Sequence, residues 1–198
     1  RAAWRASDAW LLDRHGEPLR EVRSGEGVFA RRVSYEQLPQ SLINATLAAE
    51  DKRFWKHGGV DWRASFRAFV GLVRNRRVVS GGSTITQQLI KLAQPRPRTL
   101  RTKFIEAAQA MRLEQVWDKQ RILAEYLSRL DYGNLTAGPA EAAEHYFGKP
   151  LRDLSAAEAA LLAGLPQSPT RLNPRTRFDR ARKRQQWILS RLEHNGQL

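Results

Sequence analysis

The stretch Gly81-Gly82-Ser83-Thr84-Ile85-Thr86-Gln87-Gln88-Leu89, with Lys91 shortly beyond, constrains this chain more than any other. A glycine pair is destabilising inside a helix, so the chain turns there. Thr84 with Gln87 three residues on predicts a capping box, and therefore a helix start. On that helix Thr84, Gln87, Gln88 and Lys91 fall at i, i+3, i+4 and i+7, one polar stripe. Ile85, Leu89 and Leu92 take the opposite side and would anchor the helix to a core. A hydroxyl, two amides and an ammonium at a helix N-terminus suit an anionic ligand rich in hydroxyls. The same stripe also reads as an ordinary solvated face, and taken alone it does not choose.

Everything after Pro39 reads as helix. The first helix spans about Pro39 to Asp51, with Ile43, Leu47 and Glu50 on one face. A carboxylate on the apolar side of a last turn is costly unless it is paired or performs chemistry, which singles out Glu50. Asp61 caps a second helix whose Trp62, Phe66, Phe69, Val70 and Val73 form an apolar stripe flanked by arginines. That pattern fits a helix lying on a membrane surface, or one packed on its own domain. Thr99 caps a long helix to about Trp117 with two stripes: Leu100, Phe104, Ala107, Ala108 and Met111, then Lys103, Glu106, Ala110, Leu113 and Trp117. Two stripes predict a central helix. Lys103 and Glu106 read equally as an i,i+3 ion pair worth about a few tenths of a kcal/mol.

Asp118 begins a further helix, and a turn at Asp131 to Asn134 leads to a short one ending at Gly148. Ser155 and Glu158 make a second capping box, opening an Ala/Leu-rich helix that is the best candidate for full burial. The last helix starts at Asp179, with Trp187, Ile188 and Leu192 inward and its arginines outward. Ahead of all this, residues 9 to 24 alternate like a β-hairpin, and Val28 to Val33 reads as a short extended piece.

The formal charge is +14, and its distribution matters more than its size. Between Asp61 and Glu106 there is no acidic residue, while the tract carries Arg63, Arg67, Arg74, Arg76, Arg77, Lys91, Arg96, Arg98, Arg101 and Lys103. Such a field concentrates polyanions, whether nucleic acid, anionic lipid headgroups or a pyrophosphate. Without cysteine there is no disulfide or thiolate metal site, and the four histidines have no ligand spacing, so a protein-built metal site is not expected. No apolar run is long enough to span a bilayer, and nothing resembles a signal peptide. The chain starts at Arg1, which is not a natural start, so upstream residues are expected to have been removed, leaving room there for a membrane anchor.

Taken together, the motifs resemble those of the peptidoglycan glycosyltransferases, the polymerase modules of class A penicillin-binding proteins and their monofunctional relatives. Glu50 to Asp61 resembles the first signature of that family, and Gly81 to Leu89 with Lys91 the second. Lys103-Phe104-Ile105-Glu106 is similar to the third, Lys119 to Leu127 to the fourth and Ser155 to Ala163 to the fifth. The resemblance covers roughly residues 35 to 193. It implies a mostly α, lysozyme-like helical fold with a small membrane-facing lobe at about residues 60–80 and a short N-terminal β-hairpin. The division would be a hairpin and linker segment over 1–34 and the glycosyltransferase domain over 35–198. Trp10 to Arg23 is similar to the segment preceding this module in bifunctional proteins, the type C subgroup among them. On that reading a transpeptidase domain follows in the full-length protein.

The resemblance also implies the chemistry: lipid II is polymerised into a glycan strand at the periplasmic, extracytoplasmic face of the bacterial inner membrane, and nucleic acid is not a partner. Glu50 would be the general base and Glu106 the second carboxylate. Ser83, Thr86, Gln87 and Gln88 would hold the donor's sugar and phosphate oxygens, and Lys91, Arg101 and Lys103 the pyrophosphate. Asp51, Phe54 and His57 would belong to the substrate side by shaping the loop that holds Glu50. A divalent cation, magnesium or manganese, would accompany the pyrophosphate. The chain departs from the family's pattern in places. Thr102 stands where the third signature has arginine, and Ala124 and Ser128 where the fourth has glutamate and asparagine. Glu125 is adjacent, but one residue around a helix is a turn of about 100°. Three rival readings are a lysozyme-like glycan hydrolase, a basic nucleic-acid-binding module and a degenerate, non-catalytic scaffold.

Overall fold

A computed structural model describes residues 9–12, 18–22, 29–75 and 82–198. Its main elements are β1 (Ala9–Leu12), β2 (Pro18–Val22), β3 (Phe29–Ala30), α1 (Gln40–Glu50), α2 (Trp62–Asn75), α3 (Ile85–Ala93), α4 (Leu100–Leu113), α5 (Lys119–Ser128), β4 (Thr136–Ala137), α6 (Pro139–Phe147), α7 (Ala156–Gly164) and α8 (Phe178–His194). The chain is mostly helical, as its periodicity predicts. β1 pairs antiparallel with β2. Residues 13–17, which would turn one into the other, and residues 23 and 24 lie outside the described residues, as do 76–80 and Gly81. Of the piece expected over Val28 to Val33, Val28 lies outside the described residues, and among the rest Phe29 and Ala30 form a strand, paired in parallel with Thr136 and Ala137.

Helix α7 sits at the centre, packed against both α1 and α8, which also touch each other. Ala159, Ala160 and Ala163 let the neighbouring backbones approach, while Leu162, Leu165, Ile188 and Leu192 fill the space with Leu42 and Ile43 of α1. This is the buried helix that its composition predicts. Its start is the expected capping box: Ser155 Oγ accepts from the Glu158 amide, and Glu158 accepts from the Ser155 amide at 2.9 Å. Lys149 Nζ lies 2.7 Å from the same carboxylate. Lys149 first, then the Ser155 amide, hold the Glu158 carboxyl down to about 2. Its stabilising contribution is therefore complete above the unfolded carboxylate range of about 4.3 and is lost as pH falls through the folded value. In pH-dependent thermal melts, Glu158→Gln is expected to lower Tm at neutral pH, and the gap from the parent protein closes between about pH 4 and pH 2.

Helix α3 is held on two sides, by α4 and α5. Ile85 and Leu89 are buried as expected, but Leu92 is exposed, because the last turn of this nine-residue helix runs out over a hollow in the surface. Helix α4 departs further from expectation. It ends at Leu113, not Trp117, and buries only Thr102 and Ala110. The stripe of Leu100 and Phe104 faces outward, 80% and 77% exposed, so α4 is a peripheral helix resting on its Ala110 flank. On α2, Trp62 and Phe66 are likewise 66% and 69% exposed, and its start is capped by Asp61, which accepts from the Ala64 amide at 3.0 Å. Trp187, expected inward on α8, is 40% exposed.

Candidate active site

Glu50 is the last residue of α1, and the helix stops because Asp51 leaves helical geometry (φ −155°, ψ 77°). The Asp51 side chain turns into the protein and accepts from the Ile85 amide at 3.0 Å, the first residue of α3. It also faces His57 Nε2 at 3.0 and 3.2 Å. Phe54 is fully buried beside them, its ring 4.4 Å from Lys119 Nζ. The Thr84 hydroxyl donates to the Gly59 carbonyl at 2.6 Å. These contacts fasten the loop after Glu50 to the N-terminus of α3, so Asp51, Phe54 and His57 are loop-shaping groups in the geometry.

Three groups reach the Glu50 carboxylate or set what reaches it. Gln88 Nε2 donates to Oε2 at 3.1 Å, and Arg184 of α8 stands 3.6 Å from Oε1. Behind Gln88, the Tyr126 hydroxyl donates to its amide oxygen at 3.0 Å. Burial, reinforced by the Glu50 charge, holds the Tyr126 phenol well above its ordinary range, so it remains a donor. The Gln88 carbonyl is thereby kept towards Tyr126 and its NH2 towards Glu50.

Glu50 opens onto two hollows. The larger, about 790 Å³, also has Arg53, Asp61, Arg67, Ser83, Arg184 and Trp187 in its walls. The other, about 370 Å³, runs past Gln88, Lys91, Arg98 and Tyr126. A third, about 470 Å³, holds Glu106 with Ser83, Lys91, Arg98 and Lys103. Ser83 joins the first hollow to the third, and Lys91 and Arg98 join the third to the second, so the three surround α3 as one branched groove. Lys103 Nζ lies 3.3 Å from Ser83 Oγ across that junction. Asp61 stays charged in the wall. Burial pushes its carboxyl up, but the Ala64 amide and then Arg53, 3.3 Å away, outweigh it and leave it below its usual range.

The stripe on α3 thus divides. Ser83, Gln88 and Lys91 face the groove, as do Lys103 and Glu106 from α4. Thr86 does not: it is fully buried and its hydroxyl donates to Glu114, which Lys119 also pairs at 2.8 Å. Gln87 turns back to accept from the Thr84 amide at 2.9 Å, completing the cap. Arg101 is exposed and lines none of the three hollows. One helix cannot aim adjacent residues in one direction, and the cap and the core take Gln87 and Thr86.

At the positions that depart from the family's pattern, Thr102 is buried and shares its hydroxyl with Thr99 at 3.0 Å. Ser128 accepts from the Val33 amide at 3.1 Å. Glu125 faces Arg129 at 2.8 Å and Arg32 at 3.7 Å, so it does not stand in for a glutamate at Ala124. Among the described residues no group of three His, Asp or Glu side chains could hold a metal ion. Glu106 makes no ion pair among them and is the carboxylate facing the Lys91 and Lys103 wall, so a cation there would draw its remaining ligands from an anionic substrate.

Sequence reading missed the α8 contribution. Arg184, Trp187 and Arg191 all line the 790 Å³ hollow, and both guanidiniums lie over the indole, 4.3 and 4.6 Å from its centroid. Their spacing of i, i+3 and i+7 was the available signal: one helical stripe pairing an aromatic with two cations.

The family model for transglycosylases matches residues 15–193. Penicillin-binding protein 1A of Aquifex aeolicus is 44% identical over 165 residues, 83% of this chain and 23% of that protein. Penicillin-binding protein 1A of Neisseria gonorrhoeae is 40% identical over 188 residues, 94% of this chain and 22% of that protein. A crystal structure of penicillin-binding protein 1A from Haemophilus influenzae aligns over 93% of this chain and 18% of that one, with 22% identity and a TM-score of 0.49. The chain spans less than a quarter of the length of these relatives.

Proposed function

The chain belongs to the transglycosylase family, the peptidoglycan glycosyltransferases, and from that premise we propose that it polymerises lipid II into β-1,4 glycan strands with inversion, releasing undecaprenyl pyrophosphate. The observation that carries this reading is the Glu50 carboxylate, held by Gln88 and Arg184 where two branches of a cation-lined groove meet. Glu50 takes the proton from the acceptor sugar's 4-hydroxyl, and that oxygen attacks C1 of the donor's N-acetylmuramic acid. The C1–O bond to phosphate breaks, and its electron pair leaves on the pyrophosphate. Such a leaving group needs cations and hydrogen-bond donors more than an acid, and Lys91, Arg98, Lys103 and Ser83 line that side. Glu106 orients the donor. A divalent cation bound with the pyrophosphate, magnesium or manganese, would supply charge neutralisation beside Glu106.

The lysozyme-like arrangement, the lobe at about residues 60–80 and the division at residues 34 and 35 belong to the same reading. Exposed Trp62 and Phe66 on α2, and Leu100 and Phe104 on α4, interleaved with exposed Arg63, Arg67 and Arg101, support a membrane-surface partner. Among the described residues no helix is long and apolar enough to cross a membrane. On this reading the chain acts at the extracytoplasmic face of the cytoplasmic membrane, where it would meet lipid II. A transpeptidase following this domain accords with the penicillin-binding names of relatives that are much longer. The type C reading rests on the sequence of Trp10 to Arg23 alone, much of it outside the described residues.

A hydrolase would set two carboxylates across one glycosidic bond. Here the acid-free cationic tract suits a pyrophosphate better than a neutral linkage. Incubation with lipid II, with and without a divalent metal, is expected to yield long glycan chains and free lipid pyrophosphate. Fragment release from finished peptidoglycan, with no chains from lipid II, would replace this reading by the hydrolytic one.

A further inference from the structure

Arg184 sits in a seat built by three separate features, and the carboxylate it faces is the one assigned to proton transfer. Its guanidinium approaches Glu50 Oε1 at 3.6 Å and lies over the Trp187 ring at 4.3 Å. Arg191 lies over the same ring at 4.6 Å, one turn further along α8. Its stem passes Gly164 of α7: a Cβ built on that glycine would come within 2.9 Å of Arg184 Cγ and 3.4 Å of Ile188 Cδ1. Gly164 has ordinary helical dihedrals (φ −82°, ψ −30°), so no backbone requirement explains glycine there. The missing methyl is the room that lets Arg184 pass between α7 and α8.

We propose that Gly164 and Trp187 hold Arg184 against Glu50, making Arg184 a positioning residue for that carboxylate and Trp187 the aromatic brace that acts through it. The inference rests on Glu50 being the base. A carboxylate at the end of a helix, with its next residue turned away, is fixed by the groups that meet its two oxygens. Gln88, backed by Tyr126, meets one, and Arg184 meets the other. A long arginine side chain loses much rotamer freedom to hold one geometry, and a flat ring against its planar guanidinium limits that freedom beforehand. The ring is 40% exposed and contributes little to the core, so its presence on the groove wall is better explained by what it braces.

The test is lipid II polymerisation by the purified protein, with kcat and KM separated, alongside thermal melts. Trp187→Leu is expected to lower kcat by roughly ten-fold or more, since small misplacements near the chemistry are expensive, with KM and Tm nearly unchanged. Trp187→Phe, which keeps a ring, should restore kcat to within about two-fold of the parent. Gly164→Ala should lower kcat, because a Cβ 2.9 Å from Arg184 Cγ forces that stem to shift; overpacking against Arg184 and Ile188 sets its Tm, which is not the readout. In an Arg184→Leu background, Trp187→Leu should add nothing further, because both act on one element. Losses that add in the double variant, a change confined to KM, or an unaffected Trp187→Leu enzyme would each overturn the proposal. These failures are separable from that of the functional reading. If Glu50→Gln polymerises normally, Glu50 is not the base; if Glu50→Gln is inactive and Trp187→Leu is normal, only the brace is wrong.

Discussion

Replacing Glu50 with glutamine stops glycan chain growth, lowering the turnover rate by about 10²–10⁴-fold, the usual contribution of a general base. The substitution is close to isosteric. The new amide oxygen still accepts from Gln88 Nε2, so the 3.1 Å contact that orients the side chain survives. What disappears is the ability to accept the acceptor hydroxyl's proton. Glu50 lies at the groove mouth at the end of α1, after the buried turn that carries Leu42, Ile43 and Leu47. Losing its charge therefore leaves the core as it was, and Tm is expected to stay within a few degrees of the parent's. Single-turnover assays on lipid II measure the chemical step directly, and binding of lipid II to the inactive variant shows that the groove remains formed. A variant that polymerises at near-normal rate, with its fold intact, would remove Glu50 from the role of base and with it the mechanism proposed above.

Four helix starts were legible because each is written in three or four residues. Thr84 with Gln87 and Ser155 with Glu158 form capping boxes, and Thr99 and Asp118 accept the amides of Thr102 and Arg121. Which face of a helix meets the core was less legible, since amphipathic periodicity shows that a stripe exists and not what covers it. Leu100 and Phe104 satisfy the pattern of a buried stripe as well as Ile122 and Leu127 do, yet the former stand in the open. A partner outside the chain, such as a lipid surface, leaves the same signature as a neighbouring helix.

The position of Glu50 was legible, since the end of the first helix could be read from the sequence, and its role as base remains the proposal made above. The site was misread where one helix carries too many polar residues for one direction. Thr86 looked equivalent to Ser83, but the helix aims it at Glu114. The α8 groups were missed for the opposite reason. Arginines on a long C-terminal helix read as a solvated face, and only the fold brings Arg184 and Arg191 to the hollow that Glu50 opens onto.

The largest expected loss of stability follows from Gly59→Ala. Gly59 has φ +84°, a conformation that a residue with a Cβ adopts only under strain, usually about 1–3 kcal/mol. A Cβ at that position would also lie 2.6 Å from the carbonyl carbon of Ala110 and the amide nitrogen of Met111, and 2.7 Å from the Ala110 oxygen. All three atoms belong to the backbone of α4, so no side chain can swing aside, and overpacking adds roughly 1–3 kcal/mol more. Relief requires the loop or α4 to move. Moving the loop pulls the Gly59 carbonyl away from Thr84, whose hydroxyl donates to it at 2.6 Å, and so loosens the cap of α3 that aims Gln88 at Glu50. Chemical denaturation should therefore show a loss of about 2–6 kcal/mol, and whatever protein remains folded should polymerise lipid II poorly. Gly58→Ala is the matched control: nothing lies within 4 Å of the added methyl, and the expected change is about 0.5 kcal/mol or less. If the two variants unfold alike, the close approach of the Glu50 loop to α4 is not what holds this end of the groove together.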